Sequence, residues 1–556
     1  MKSRWIPTGL FSGLALVILA GCGQEAAGPG EVTQATEIIP SDAAMVFTIA
    51  NPESLYHHLH LGKILPQTGA TDGDWGALLD LDSLRTMGLD PLEPVTIAVL
   101  DLEPAVFAIV MEGDGPKLGN SLSTMLAREG RPLSLLGTQQ GVEIRGDDGG
   151  TMAFFTFERF LVMGASSDPD SVEAISVALE LLQMNPSQSL GRSKEYRDTM
   201  AELPPDGDVL FYARLDPRAQ LEDARARMEA EGDIDPQVFA LLDKLYVIAE
   251  DVGGTAGSLR FVPNGLVMDG YSQIQSGSDL LAFATPPPGS GTFHQRVPGQ
   301  PRFMYGVNFG AQATWAWLRP NVFDEVDGAA EWLANAEQSL RQEVGIELEA
   351  DLIRQFSGEM MLLVDQLAMV GSDIVLYLRV DRPGDFQVTL EKLLAYAGEQ
   401  SDPGRFQFHA DAVGGVPFHK ITMAPFAEVC CGLVDDYLVI TSTRARFAGI
   451  VEGDRSFADA LAYDRLAEAL DQHPSSVVYL DLELVGQLLG LFGGFIPAQQ
   501  QGGPQMAQFL LQSLQLEHCF GASFPEKGGM RSTFRIESGR SDFWAAVADF
   551  AAGAQQ

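Results

Sequence analysis

The chain has 556 residues, of which 75 are acidic and 36 basic, and 46% of its residues are hydrophobic. This length is several times that of a usual domain, and the apolar content suffices for large cores, so we expect more than one folded unit and little disorder. The formal net charge of −39 repels phosphate backbones and argues against nucleic acid as a partner. Such acidity is typical of an ordinary acidic secreted protein or of a protein from a saline habitat.

Residues 1–21 have the pattern of an export signal. Two basic residues precede an apolar stretch at 10–20, which is too short to span a bilayer and ends in Leu-Ala-Gly-Cys at 19–22. These four residues resemble the lipobox of bacterial lipoproteins; an ordinary signal peptide with a chance cysteine is the alternative. The resemblance implies cleavage before Cys22 and its acylation, which would anchor the chain in a membrane. Because Gly23 stands where an aspartate would retain an inner-membrane lipoprotein, we expect an outer-membrane lipoprotein of the cell envelope, facing the periplasm or the surface.

The remainder of the chain contains internal similarity. Residues 22–36 are small and polar and predict a flexible tether behind the lipidated cysteine. Five segments then recur in the same order: 44–51 with 302–309, 93–101 with 358–365, 157–166 with 434–443, 209–216 with 476–483, and 274–279 with 536–542. The pattern predicts two tandem pseudo-symmetric repeats, at 37–285 and 296–550, which are joined by a Pro/Gly linker at 286–295 and packed edge to edge.

Each repeat reads as an α+β unit. Hairpins are predicted at 95–111 and 153–164, where short turns separate apolar strands. Apolar residues at steps of three and four predict helices at 171–184, 323–344 and 386–396. We therefore expect a mainly antiparallel sheet in each repeat, with helices covering one face.

Three short patterns suggest a family. A proline-led strand near the mature N-terminus, the hairpin ending in Asp-Asp-Tyr-Leu-Val-Ile-Thr-Ser at 435–442, and a later proline-strand-Asp pattern occur in order. Together they resemble a domain-of-unknown-function family of secreted bacterial proteins and lipoproteins. The resemblance implies an envelope location and no particular chemistry.

Motifs for catalysis and cofactors do not occur in the sequence. There is no Gly-x-Ser-x-Gly nucleophile elbow, no Walker loop and no dinucleotide fingerprint. We predict no catalytic residue and no cofactor.

Two kinds of site contain residue types that can bind a metal. His57 and His60 would share one helix face, with Glu53 as a third ligand, but an exposed polar helix face explains them as well. Acidic clusters at 72–82 and 231–235 lack the ligand spacing of a calcium loop. We therefore predict no metal site.

Three cysteines remain besides Cys22. Cys430 and Cys431 are adjacent and cannot readily bridge to each other, so at most one of them could pair with Cys519. All three lie in apolar runs, which favours buried free thiols.

An uncharged stretch at 484–496 follows the strand at 476–481. It is either a helix buried between the repeats or an apolar surface that meets lipid, an acyl chain or a protein. The predicted ligand-binding residues are its large apolar members, Leu488, Leu491, Phe492, Phe495 and Ile496.

The resulting hypothesis is a membrane-anchored, non-enzymatic envelope lipoprotein that binds or scaffolds an apolar ligand or another envelope protein. The alternative is an envelope hydrolase or metal-dependent enzyme whose site is assembled only by the fold.

Overall fold

The computed structural model describes the chain from residue 34 onward, with gaps. The described residues are 34–64, 81–102, 104–128, 133–139, 142–147, 150–157, 159–170, 172–214, 222, 225–226, 243–244, 246–247, 249–287, 301–324, 328–366, 372–402, 406–423, 427–453, 470, 472–493, 511 and 513–553. Cys22, Phe495 and Ile496 lie outside these ranges.

Apolar, β-branched and aromatic segments form the strands, as the predicted hairpins require. The strands are β1 Met45–Ile49, β2 Val95–Leu102, β3 Ala105–Glu112, β4 Ser134–Gln139, β5 Val142–Gly146, β6 Met152–Phe157, β7 Phe160–Ser166, β8 Val209–Arg214, β9 Val252–Val262, β10 Gly265–Ile274, β11 Phe303–Asn308, β12 Phe356–Gln366, β13 Asp373–Val380, β14 Phe406–Val413, β15 Val416–Met423, β16 Ala427–Val434, β17 Tyr437–Thr441, β18 Ser476–Asp481, β19 Leu516–Glu526 and β20 Gly529–Ser538. The predicted hairpins are confirmed as the pairs β2–β3 and β6–β7.

These strands make one antiparallel sheet. Across the sheet their order is β4, β5, β6, β7, β3, β2, β1, β8, β9, β10, β20, β19, β18, β11, β12, β13, β17, β16, β15 and β14. The centre of the sheet is the long pair β10–β20, which runs in unbroken register from Gly265 opposite Glu537 to Gln273 opposite Gly529.

The class α+β is correct, but the prediction of two tandem repeats, each with its own sheet, is wrong. A sheet that ended at β10 would leave a row of unpaired backbone groups, and β20 supplies the partners. A second contact joins the C-terminal segment to the turn between β9 and β10. Trp544 Nε1 donates hydrogen bonds to the carbonyls of Val262, at 2.9 Å, and Gly265, at 3.0 Å.

The α-helices lie between the strand groups. They are α1 Pro52–His58, α2 Leu61–Ile64, α3 Leu81–Met87, α4 Gly115–Arg128, α5 Ala174–Gln183, α6 Lys194–Met200, α7 Asp279–Ala284, α8 Ala311–Leu318, α9 Ala329–Ser339, α10 Pro383–Gln400, α11 Arg444–Glu452, α12 Leu482–Gly493 and α13 Phe543–Gly553. Among the described residues, none of the helices is long and apolar enough to cross a membrane.

The expectation that helices cover one face of each sheet is also wrong. Phe160 and Val162 of β7 pack with Val177 of α5, whereas Leu161 and Met163 pack with α4 on the opposite face. Since successive side chains of a strand point to opposite faces, a strand covered on both sides reads as an unbroken apolar run. The burial of β2 and β7 follows this rule.

Candidate functional site

The apolar segment predicted as a binding surface begins as a helix. Leu488, Leu491 and Phe492 lie in α12, which packs against β18 and β19. Of its first turns, Leu484 is buried, Val485 is half-buried and Gln487 is exposed. The first turns of the helix therefore pack against the sheet.

Arg302 fixes that start. Its Nε donates to Asp481 Oδ2 at 2.7 Å, its Nη1 donates to Gln487 Oε1 at 2.9 Å, and its Nη2 lies 3.2 Å from Glu483 Oε2. The other carboxylate oxygen of Asp481 accepts the N–H of Glu483 at 2.8 Å, a helix-capping bond. The guanidinium of Arg302 thus joins the start of β11 to the first two turns of an apolar helix.

A polar cleft of about 500 Å³ lies elsewhere, at the end of β3. Its walls are the segment from α3 to β2, the turn between β3 and α4, and the turn between β6 and β7. The first two walls approach closely, because a Cβ on Gly113 would lie 2.3 Å from the carbonyl oxygen of Gly88. Gly113 also donates its N–H to the carbonyl of Arg159 at 2.8 Å, so glycine is required where the three walls meet.

Glu112 is the most perturbed group in this cleft. Its side chain is 2% exposed, its Oε1 accepts the N–H of Ala35 at 3.3 Å, and its Oε2 lies 2.9 Å from Arg159 Nη2. Burial raises the pKa of Glu112 to about 7; Arg159 opposes this rise, whereas Glu93 adds to it. A carboxyl that titrates near neutrality in a cleft marks a candidate functional site.

The described residues that line the cleft are otherwise mostly charged. The acids are Asp90, Glu93, Glu112 and Asp114, and the bases are Arg85, Lys117 and Arg159. The guanidinium of Arg85 is engaged outside this set, 2.5 Å from Glu53 Oε2 and 3.2 Å from Asp82 Oδ1. The remaining lining therefore carries an excess of negative charge.

A second buried cluster lies at the β12–β13 turn. Arg446 contacts Asp365 directly and lies 3.5 Å from Asp373 Oδ1. Burial raises the pKa of Asp365 to about 6; Arg446 lowers it and Asp373 raises it. Burial also raises the pKa of Tyr377, whose hydroxyl has no hydrogen-bond partner among the described residues. Because Arg446 lies in α11, this cluster joins that helix to the turn between β12 and β13.

The prediction of buried thiols is confirmed for Cys430 and Cys431, whereas Cys519 is only half-buried. Cys430 and Cys431 are buried in β16, and they and Cys519 are free thiols. Burial raises the pKa of Cys430 and of Cys431 to about 11, which keeps them protonated and unreactive at neutral pH.

The histidine spacing needed for a metal site is not formed. Helix α1 ends at His58, and His60 follows with a left-handed φ of 50°, so His57 and His60 do not share a helix face. Glu53 is paired with Arg85. In the described part of the chain no three His, Cys, Asp or Glu side chains are arranged to hold a metal. The acidic cluster at 231–235 and most of the one at 72–82 lie outside the described residues.

Sequence reasoning missed Glu112. The available signal was the run Ala105–Glu112, in which a glutamate follows seven apolar residues without a break and precedes Gly113. Because that run is buried on both faces, its last residue is also drawn inside. The two-sided burial could have been inferred only from the lack of polar alternation.

Comparison with known proteins identifies the family. The chain belongs to the family described as "Protein of unknown function (DUF3352)", whose model matches residues 92–515. This confirms the resemblance to an uncharacterised family. No curated protein matches the chain.

Two solved structures are distantly similar. Crystal form III of the protein TP0453 has 11% identity and a TM-score of 0.26, and the match covers 44% of this chain and 81% of that one. Crystal form I of TP0453 has 12% identity and a TM-score of 0.25, covering 44% and 79%. At these scores the likeness supports no functional argument.

Proposed function

We propose that the chain is a lipid-anchored protein of the bacterial cell envelope that binds an apolar ligand or another envelope protein without catalysing a reaction. The lipobox-like sequence at 19–22 supports an anchor at Cys22, and Gly23 supports the outer membrane. Residues 22–36 would separate the folded part from the membrane.

The observation that carries the binding role is the anchored apolar helix α12. The uncharged stretch at 484–496 is unusual in a chain with a net charge of −39. Arg302 holds the start of α12 on the sheet, so Leu488, Leu491 and Phe492 lie on a helix whose first turns are fixed. Large apolar side chains on a held element are the means by which proteins bind acyl chains and partner helices.

The anchor is tested with Cys22→Ala. The wild-type chain should incorporate radiolabelled palmitate and sediment with membranes, whereas the variant should do neither. Cys519→Ala is the matched control and should behave as wild type. Unchanged labelling of Cys22→Ala would exclude lipidation at this residue.

The binding role is tested by placing a photo-reactive phenylalanine analogue at Phe492 or Phe495 in cells. Mass spectrometry of the adducts then distinguishes a lipid from a protein partner. Val388, which is 54% exposed and lies in α10, gives the control position. The same adducts at all three positions would mean diffuse contact and would contradict the proposal.

One observation favours the enzyme alternative, namely the raised pKa of Glu112 in a cleft. Such a carboxyl suits general acid–base catalysis. However, the described lining offers no hydroxyl, thiol or imidazole to act with it. Hydrolysis of a chromogenic ester or glycoside that is lost in Glu112→Gln would support an enzyme; activity equal in both chains would not.

A further inference from the structure

The two ends of the sheet are formed by β4 and β14. Among the described strands, each is paired on one side only, β4 with β5 and β14 with β15. The outer edge of such a strand presents a row of backbone N–H and C=O groups that can pair with a further strand. Natural proteins usually block these edges with charged side chains, with proline or with a covering segment. The side chains of the two strands show which edge is blocked.

The edge of β14 is blocked by charge. His409 and Asp411 lie in this strand, and both side chains are exposed. Asp411 Oδ1 accepts the N–H of Ala412 at 2.8 Å, which occupies a backbone donor of the strand. Asp411 Oδ2 also accepts Nε of Arg444 at 2.8 Å. A further strand placed along β14 would meet these charged groups.

The edge of β4 has no such protection. The strand Ser134–Gln139 contains no charged residue and no proline, and outside its ladder with β5 it forms no hydrogen bond with a described residue. Leu135 is 58% exposed and Leu136 is 37% exposed. The register with β5 shifts between Leu135 and Gly137, so Leu136 has no partner on β5. An uncharged strand with exposed leucines and an open edge is suited to pairing with another strand.

A second copy of the chain fits this edge. Two copies with a net charge of −39 repel each other wherever their acidic surfaces meet, whereas β4 brings no charge to the contact. On the neighbouring β5, Arg145 and Glu143 neutralise each other at 3.0 Å. The uncharged strand is therefore a place where two such acidic chains can approach.

The sheet itself supplies the geometry. Its described pairs are all antiparallel, and the open edge of β10 is closed in the same way by β20. A strand that pairs antiparallel with its own copy lies on a two-fold axis and continues this pattern. Because β14 is blocked, each copy offers one open edge, and the assembly ends at two chains.

We propose that β4 pairs antiparallel with β4 of a second copy of this chain, so that their two sheets join into one across a two-fold axis. Leu135 and Leu136 lose part of their exposure to water in this contact. The strand has six residues, against about 20–30 residues a side in a standard interface, so the dimer is weak.

Sedimentation velocity measures the dimer. The sample is the full mature chain with Cys22→Ala, so that the proposed lipid anchor cannot cause association, and a reductant is present because Cys519 is a free thiol. Between about 2 and about 200 µM the chain should pass from monomer towards dimer. Over the same range, amide hydrogen exchange at 134–139 should slow, because pairing protects the backbone N–H groups of the edge.

Thr138→Lys is the deciding variant. Thr138 is exposed, and in the dimer the two lysines would lie near each other across the pair, so the dissociation constant should rise about tenfold or more. A lysine also makes the chain less negative, so association limited only by general repulsion would become tighter instead. Gln407→Lys is the matched control, because Gln407 is exposed on β14 and the change in charge is the same; it should leave the dissociation constant unchanged.

Leu135→Lys repeats the test should Thr138→Lys fold poorly, because the Leu135 side chain is largely exposed. A chain that stays monomeric over the whole concentration range would overturn the proposal. So would a dimer that neither lysine variant weakens, or one that leaves exchange at 134–139 unchanged. Growth beyond the dimer would also overturn it, since this would indicate open chains in which β4 of one copy pairs with β14 of the next.

Discussion

Replacing Glu112 by Gln should remove the contribution of this residue to the pH dependence of the free energy of unfolding. The pKa of Glu112 is about 7 in the folded chain, against an ordinary value of 4.5, because burial disfavours the carboxylate. Each pKa unit corresponds to about 1.4 kcal/mol, so the ionised side chain costs the fold about 3 kcal/mol. Gln has the shape of the neutral acid and does not ionise.

The direction of this pH dependence follows from whether the folded or the unfolded chain binds the proton more tightly. At a pH below about 4.5 both the folded and the unfolded chain are protonated at Glu112, and its contribution to stability is complete. As the pH rises to about 7, the unfolded chain loses the proton first, so the free energy of unfolding falls. The wild type should therefore lose about 3 kcal/mol through this group between pH 5 and 8, and Glu112→Gln should not.

Urea titrations at pH 5 and pH 8, followed by tryptophan fluorescence, measure both chains. The decisive quantity is the difference between the two pH values, because any cost of an unpaired amide in the variant is the same at both. Glu143→Gln is the control substitution, since its carboxylate is 56% exposed. If the stability of Glu112→Gln falls between pH 5 and 8 as much as that of the wild type, the assignment of a neutral buried Glu112 is wrong.

Three further changes test the other parts of the structure. Asp365→Asn should remove a second loss of about 3 kcal/mol, here between pH 3 and 7, because burial raises the pKa of Asp365 from 3.8 to about 6; urea titration over that range checks it. Gly265→Ala should lower the melting temperature by several degrees, since its Cβ would lie 1.9 Å from the carbonyl oxygen of Ile536 at the β10–β20 pair, whereas Gly384→Ala, with open space around it, should not. Arg302→Met should speed amide hydrogen exchange in α12 about tenfold by releasing the start of the helix, and unchanged exchange would refute that role.

The sequence predicted single strands and hairpins well and their assembly poorly. The hairpins at 95–111 and 153–164 follow from local patterns and appear with their ends moved by one or two residues. Which strand closes an exposed edge depends on distant segments, so the β10–β20 pair could not be read from either half alone. A local signal was also missed: Gly328 has a left-handed φ of 80°, and among the described residues of the predicted helix at 323–344 only Ala329–Ser339 are α-helical.

The candidate sites also divide into features that follow from the local sequence and features that depend on distant segments. The apolar stretch at 484–496 stands out by composition alone, and α12 begins two residues before it, at Leu482. Glu112 is one of 75 acidic residues and stands out only as the end of an unbroken apolar run, whose burial on both faces depends on tertiary packing. Arg302 and Asp481 are separated by 179 positions, and only the pairing of β11 with β18 brings them together.

Stability alone does not account for a glutamate at position 112. An ionised carboxylate there costs about 3 kcal/mol at alkaline pH, and Arg159 and the N–H of Ala35 offset the burial only in part. Glu112→Gln should therefore differ from the wild type in free energy of unfolding less at pH 5 than at pH 8, where the variant should be the more stable chain. An equal difference at both pH values would mean that Arg159 and Ala35 compensate the buried charge in full.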